Sequence, residues 1–178
     1  MLKPLSARAL AACAAVLSLG LAAPAMAAVG SIDDPTGDAS ATGLDITRAT
    51  LDNRDRSIMV RVRFDAAKRG DLIVSVDPRG ARGLRLVSQY RPAGTTKNFV
   101  LKGAFTDKNT GGDVVDCDGF RVRWNADTER ARLTLPSSCL RGGDYGAVRF
   151  TVLTERPRGG DEDIAPDEAA SSGWIARG

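Results

Sequence analysis

Histidine is absent from all 178 residues, which excludes Ser-His-Asp and Cys-His triads, the usual zinc sites and the commonest general base near neutral pH. A GxSxG turn, a GxGxxG beside a helix and a phosphate-binding loop are missing as well. Aromatic residues make up only 5% of the chain. Phe64, Phe99, Phe105, Phe120, Trp124 and Phe150 fall on or near expected core faces, leaving Tyr90, Tyr145 and Trp174 as the rings available for stacking on a sugar. No run beyond the first 27 residues approaches the roughly 20 apolar residues that span a bilayer. The expectation is a protein that is not an enzyme. A carboxylate-based glycoside hydrolase is the third reading, because its two acids need only be neighbours in space.

The chain begins as an export signal does: Lys3 and Arg8 give a basic start, residues 9–23 are apolar, and Ala25-Met26-Ala27 is a small-x-small cleavage site. Residues 1–28 are expected to be a cleaved leader and the protein to be secreted. Removing Lys3 and Arg8 from the 25 basic residues leaves 23 against 22 acids, a net charge of +1, which is no signature of nucleic-acid binding. About 150 residues remain, one ordinary domain. Of the cysteines, Cys117 and Cys139 lie beyond the leader, and export makes a disulfide between them the expected state.

Beyond Leu44 the pattern alternates with period two. Ile58, Val60, Val62 and Phe64 share one face and Met59, Arg61, Arg63 and Asp65 the other. Further strands are predicted over 72–77, 83–90, 98–105 and 147–154, separated by Gly- and Pro-containing turns. Between the cysteines, Phe120, Val122 and Trp124 answer Ala131, Leu133 and Leu135 as a hairpin. A two-residue loop there would set Arg121 opposite Arg132 and Arg123 opposite Arg130. Seven or eight short strands without helical periodicity predict an all-β, antiparallel β-sandwich, jelly-roll-like or immunoglobulin-like, over residues 29–155. Residues 156–178 read as an acidic Gly/Pro-rich tail that docks, if at all, through Trp174 and Ile175.

Charge is segregated along the chain. Residues 31–47 carry four acids and no base, and residues 155–178 carry six acids against three arginines. The first and last strands of a sandwich often lie close together, so these carboxylates would repel one another unless a cation neutralised them. Calcium, which takes six to eight oxygens, suits such a place. Asp34, Asp38, Asp45, Asp163 and Asp167 are the candidate ligands. Asp113, Asp116 and Asp118 ahead of Gly119 form a second acidic loop, read as a polar turn. Between Arg48 and Lys102, thirteen bases face five acids. The arginines of the hairpin, Arg121, Arg123, Arg130 and Arg132, are candidates for an anionic ligand such as an extracellular or cell-wall polymer. No aromatic residues interleave with the bases, so nucleic acid is not an expected partner.

The pattern Asp34-Pro35-x-Gly37-Asp38, then Leu44-Asp45-Ile46, then Ile58-x-Val60-x-Val62-x-Phe64, resembles small exported actinobacterial β-sandwich proteins, as does the closing Asp163-Ile164-Ala165-Pro166-Asp167 with Trp174 and Arg177-Gly178. More distantly it is similar to carbohydrate-binding family 9-like (DOMON-type) domains. The resemblance implies a jelly-roll-like sandwich without catalysis, with Asp34, Asp38 and Asp45 as positions for calcium. It implies no particular glycan, since an aromatic platform is lacking. The expected function is a secreted, non-catalytic module that binds a cell-envelope or extracellular ligand, with calcium fixing its ends. The alternative is a structural or protein-interaction domain with neither metal nor glycan.

Overall fold

The computed structural model describes residues 28–41, 43–105, 112–166 and 170–178. Its strands are β1 (Ala28–Asp33), β2 (Leu44–Asn53), β3 (Ser57–Ala67), β4 (Gly70–Pro78), β5 (Leu84–Tyr90), β6 (Lys97–Lys102), β7 (Val114–Val115), β8 (Arg121–Asn125), β9 (Arg130–Pro136), β10 (Val148–Glu155) and β11 (Asp161–Ala165). In β3 the pleat buries Ile58, Val60, Val62 and Phe64 and leaves Arg61, Arg63 and Asp65 in solvent. The strands form two antiparallel sheets, β1-β2-β3-β9-β8 and β11-β10-β4-β5-β6-β7. Packed together they bury a common core that includes Leu51, Val60, Leu72, Leu86, Leu133 and Phe150. The fold is the expected all-β sandwich, and Cys117 and Cys139 form its disulfide with Cα atoms 5.5 Å apart.

Three features depart from the sequence reading. First, β4 is buried on both faces: Leu72, Val74 and Val76 enter the main core, while Ile73 joins Val87 and Leu101 in a smaller apolar cluster with Phe99 and Leu153 on the other side of the sheet.

Second, the sandwich continues beyond residue 155. β11 pairs with β10, and Ile175 bridges Val148 through two backbone hydrogen bonds of 3.0 and 2.8 Å. Ile175 is buried over Gly30, where a Cβ would stand 2.4 Å from its Cδ1. Only glycine leaves room for that contact. Arg177 completes the docking by donating to the carbonyls of Gly143, Tyr145 and Asp55.

Third, the hairpin register differs. The pairs are Arg121 with Thr134, Arg123 with Arg132 and Asn125 with Arg130, so the connection spans four residues, 126–129, and not two. Glu129 takes a left-handed conformation, φ 51°, held where its carbonyl accepts from the Phe64 N–H and its carboxylate from the Ala67 N–H. Those tertiary contacts stabilise a backbone state that a residue with a Cβ rarely adopts.

Trp124 lies between the sheets. Its ring stacks on Phe64 of β3 (5.5 Å between centroids) and on Tyr90 of β5 (4.0 Å). Its Nε1 donates to Ser88 Oγ at 2.9 Å, and that hydroxyl donates onward to Asn98 Oδ1 at 2.7 Å. No helix among the described residues is long and apolar enough to cross a membrane.

Candidate functional site

The acidic site is built where the β1–β2 connection crosses the end of β11. After β1 the Asp34 N–H donates to Thr47 O at 3.1 Å, extending the strand pairing by one bond. The chain then turns at Gly37, whose φ of 86° suits a residue without a Cβ. The Gly37 N–H donates to Asp45 Oδ2 at 2.8 Å, and the Ser40 N–H to Glu162 O at 2.7 Å. From the far end of the chain, Asp163 accepts from the Ile46 N–H at 2.5 Å. The first loop is thereby laid against the last strand.

This layout brings Asp34, Asp38 and Asp163 together, with one carboxylate oxygen of each within 4.8 Å of the others. Asp163 is buried, Asp34 half-buried and Asp38 exposed, so the cluster has a floor and an open side. Asp45 stands beside it, and its Oδ1 is buried without a hydrogen-bond partner among the described residues. Burial is the main cause that pushes the Asp163 carboxyl above the usual carboxylate range, with the negative charges of Asp38 and Asp45 adding to it. Burial likewise raises Asp45, with further upward pressure from Asp38 and Asp65. Backbone N–H groups offset both shifts in part. No lysine or arginine among the described residues forms an ion pair with Asp38, Asp45 or Asp163. Asp167 lies outside the described residues.

The other acidic loop does not close on itself. Asp113, Asp116 and Asp118 are exposed, and among the described residues they form no cluster with metal-binding geometry. A cavity of about 550 Å³ lies near the acidic end between Lys68, Arg69, Arg156 and Arg158. Glu162 is the one carboxylate among its described lining residues, so a glycosidase-like pair is not formed across it.

Of the three rings reserved for sugar stacking, Tyr90 and Tyr145 are buried. Trp174 is 42% exposed, but the guanidinium groups of Arg79 and Arg149 lie 4.7 and 5.1 Å from its ring centroid. The three do not form a shared platform.

Arg121, Arg123, Arg130 and Arg132 all project from the outer face of the first sheet and are exposed. The sequence reading missed their neighbours. Arg61 lies opposite Arg132 and Arg63 opposite Arg130, while Arg48 of β2 lies opposite Arg63. The outward alternation of β3 was the available signal, but the pairing of β3 with β9 is long-range and has no local mark. No protein-family model matches the chain, and no curated protein matches it.

Proposed function

We propose that the protein is a secreted, non-catalytic binding module of the extracellular space or cell envelope, in which a calcium ion ties the first loop to the last strand. The observation that carries this reading is the convergence of Asp34, Asp38 and Asp163 from opposite ends of the chain. Two oxygens each about 2.3–2.6 Å from one calcium ion lie at most about 5 Å apart, and the three carboxylates meet that limit. Asp45 adds a buried oxygen beside them that has no hydrogen-bond partner among the described residues. Burying like charges without a counter-ion is costly, and a divalent cation removes both the repulsion and the unmet oxygen. Calcium suits the mixture of fixed and exposed ligands because it tolerates irregular geometry, whereas magnesium demands a near-ideal octahedron.

Isothermal titration of the purified protein with calcium, alongside thermal melts in EDTA and in excess calcium, tests the reading. At 100 times its dissociation constant a ligand stabilises the folded state by roughly 2.7 kcal/mol, or about 5–10 °C for a domain of this size. The expected outcome is a shift of that order, abolished in Asp38→Asn, whose exposed side chain can be changed without disturbing the fold. Absence of both heat and shift would refute the calcium site.

A further inference from the structure

We infer that the outer face of the first sheet is a binding surface for a linear polyanion of the polyphosphodiester class, one that carries no aromatic bases. The inference rests on the binding-module part of the proposal above and is independent of calcium. Its basis is the register. One row across three adjacent strands reads Arg61, Arg132, Arg123 and the next reads Arg48, Arg63, Arg130, with Arg121 beside them.

Neighbouring strands lie about 4.8 Å apart and same-face residues about 6.6–6.8 Å apart along a strand, so positive charge repeats in two directions at that spacing. Four arginine–arginine pairs are directly opposed, Arg48 with Arg63, Arg63 with Arg130, Arg61 with Arg132, and Arg132 with Arg123. Directly opposed like charges destabilise a sheet. The protein does little to relieve this. Arg48 is paired with Asp33 at 3.3 Å, while Arg61, Arg63, Arg121, Arg123, Arg130 and Arg132 form no ion pair among the described residues. Arg132 Nε is directed to the sulfur of Met59 at 3.2 Å, a weak acceptor.

The remaining chemistry selects the occupant. Guanidinium groups match phosphate oxygens in forked pairs, and two shallow hollows of about 370 and 320 Å³ lie among these arginines. No outward position on β1, β2, β3, β9 or β8 holds an aromatic ring, and Trp124, which borders the smaller hollow, is already stacked against Phe64 and Tyr90. Single-stranded nucleic acid, which binds by stacking its bases on aromatic side chains, therefore lacks its second contact, as do sugars recognised by stacking. A polymer recognised by charge alone, with repeats short enough to meet successive arginines, fits the face.

The test measures binding of poly(glycerol phosphate) to the purified protein by fluorescence anisotropy over a salt series, in EDTA and in calcium. Single-stranded oligodeoxynucleotide of equal charge and a sulfated polysaccharide are the competitors. The triple variant Arg61→Gln/Arg123→Gln/Arg132→Gln is expected to bind about tenfold or more weakly and to lower the slope of log affinity against log salt by roughly 2–3. Its melting temperature is expected to hold or rise, since repulsion is relieved. The exposed pair Arg82→Gln/Arg158→Gln, off this face, is expected to bind as the parent does.

Equal binding by the triple variant would overturn the assignment, as would tighter binding of either competitor. Binding that vanishes in EDTA and returns with calcium would also overturn it, by showing that a cation bridge and not the arginines holds the polymer. Binding that persists in EDTA supports the arginine face whatever the calcium titration gives.

Discussion

Replacing Trp124 tests whether the two sheets are joined as described. Its ring lies between Phe64 of the first sheet and Tyr90 of the second, on the edge strand β8. Each aromatic pair contributes about 0.5–1.5 kcal/mol beyond its buried area, and the hydrogen bond to Ser88 about 0.5–1.5 kcal/mol. Trp124→Ala also leaves a cavity, and aromatic-to-alanine changes cost about 3–5 kcal/mol. The half-buried ring places this one near the lower end. At roughly 2–4 °C per kcal/mol, a loss of about 3 kcal/mol lowers the melting temperature by about 6–12 °C. Trp124→Phe keeps a ring in the stack and loses the indole N–H, so its cost should be about 1–2 kcal/mol. Urea melts of both variants, followed by circular dichroism, give the two numbers. Equal losses in the two variants would refute the stacking account, and so would a loss below about 1 kcal/mol in the alanine variant, well under the usual range.

Folding raises the carboxyls of Asp45 and Asp163 above their ordinary values. Their protonation therefore favours the folded state, and that contribution is lost as pH rises through the raised folded values. In EDTA this contribution should grow as pH falls through the raised folded values toward the ordinary carboxylate range, and Asp163→Asn should flatten that part of the profile. An unchanged profile in the variant would contradict the assignment, and calcium should favour the higher pH instead. Changing Cys117 and Cys139 to serine frees a loop spanning 22 positions and should cost about 3–3.5 kcal/mol by chain entropy, read as a melting drop of about 6–14 °C. Gly30→Val should displace the Ile175 side chain and expose residues 172–178 to proteolysis. Parental resistance would show that the contact is dispensable.

Much of the first sheet could be read directly, because β3 and β9 each have one face in the core and one in water, whereas in β2 the alternation changes phase between Ile46 and Ala49 at an irregularity that has no local mark. The second sheet was less legible. Ile73 and Leu72 are both buried, against different clusters, so alternation describes only half of β4. β1 offers just Val29 and Ile32 as large apolar residues, next to an Ala-rich stretch of sequence up to Ala27 whose composition masks it. β11 reads Asp-Glu-Asp-Ile-Ala, a sequence that by composition belongs to a solvated tail. It becomes a strand because β10 presents an edge to pair with. The meeting of the two acidic ends could be anticipated from charge segregation along the chain, since the termini of a sandwich tend to neighbour one another. Asp34, Asp38, Asp45 and Asp163 could be named as candidates, but which three share one cluster could not. That depends on the turn at Gly37 and on the Ile46 N–H that holds Asp163. The hairpin register depended on Glu129, whose left-handed backbone is maintained from β3 and leaves no trace in residues 121–136.

Asn53 sets an order of events. Its backbone pairs with Ala28 and accepts from the Gly178 N–H at 3.0 Å, while its side-chain amide donates to the carbonyls of Gly146 and Ile175. One buried residue thus gathers segments separated by nearly the whole described chain. Closing loops of that length costs entropy before any contact repays it, and topologies dominated by such distant pairings fold in roughly milliseconds to seconds. A nascent chain can form the β4–β5 and β8–β9 hairpins early, but closure around Asn53 waits for residues 175–178. A version ending before Ile175 should therefore refold to a looser state, with the Asn53 amide open to water.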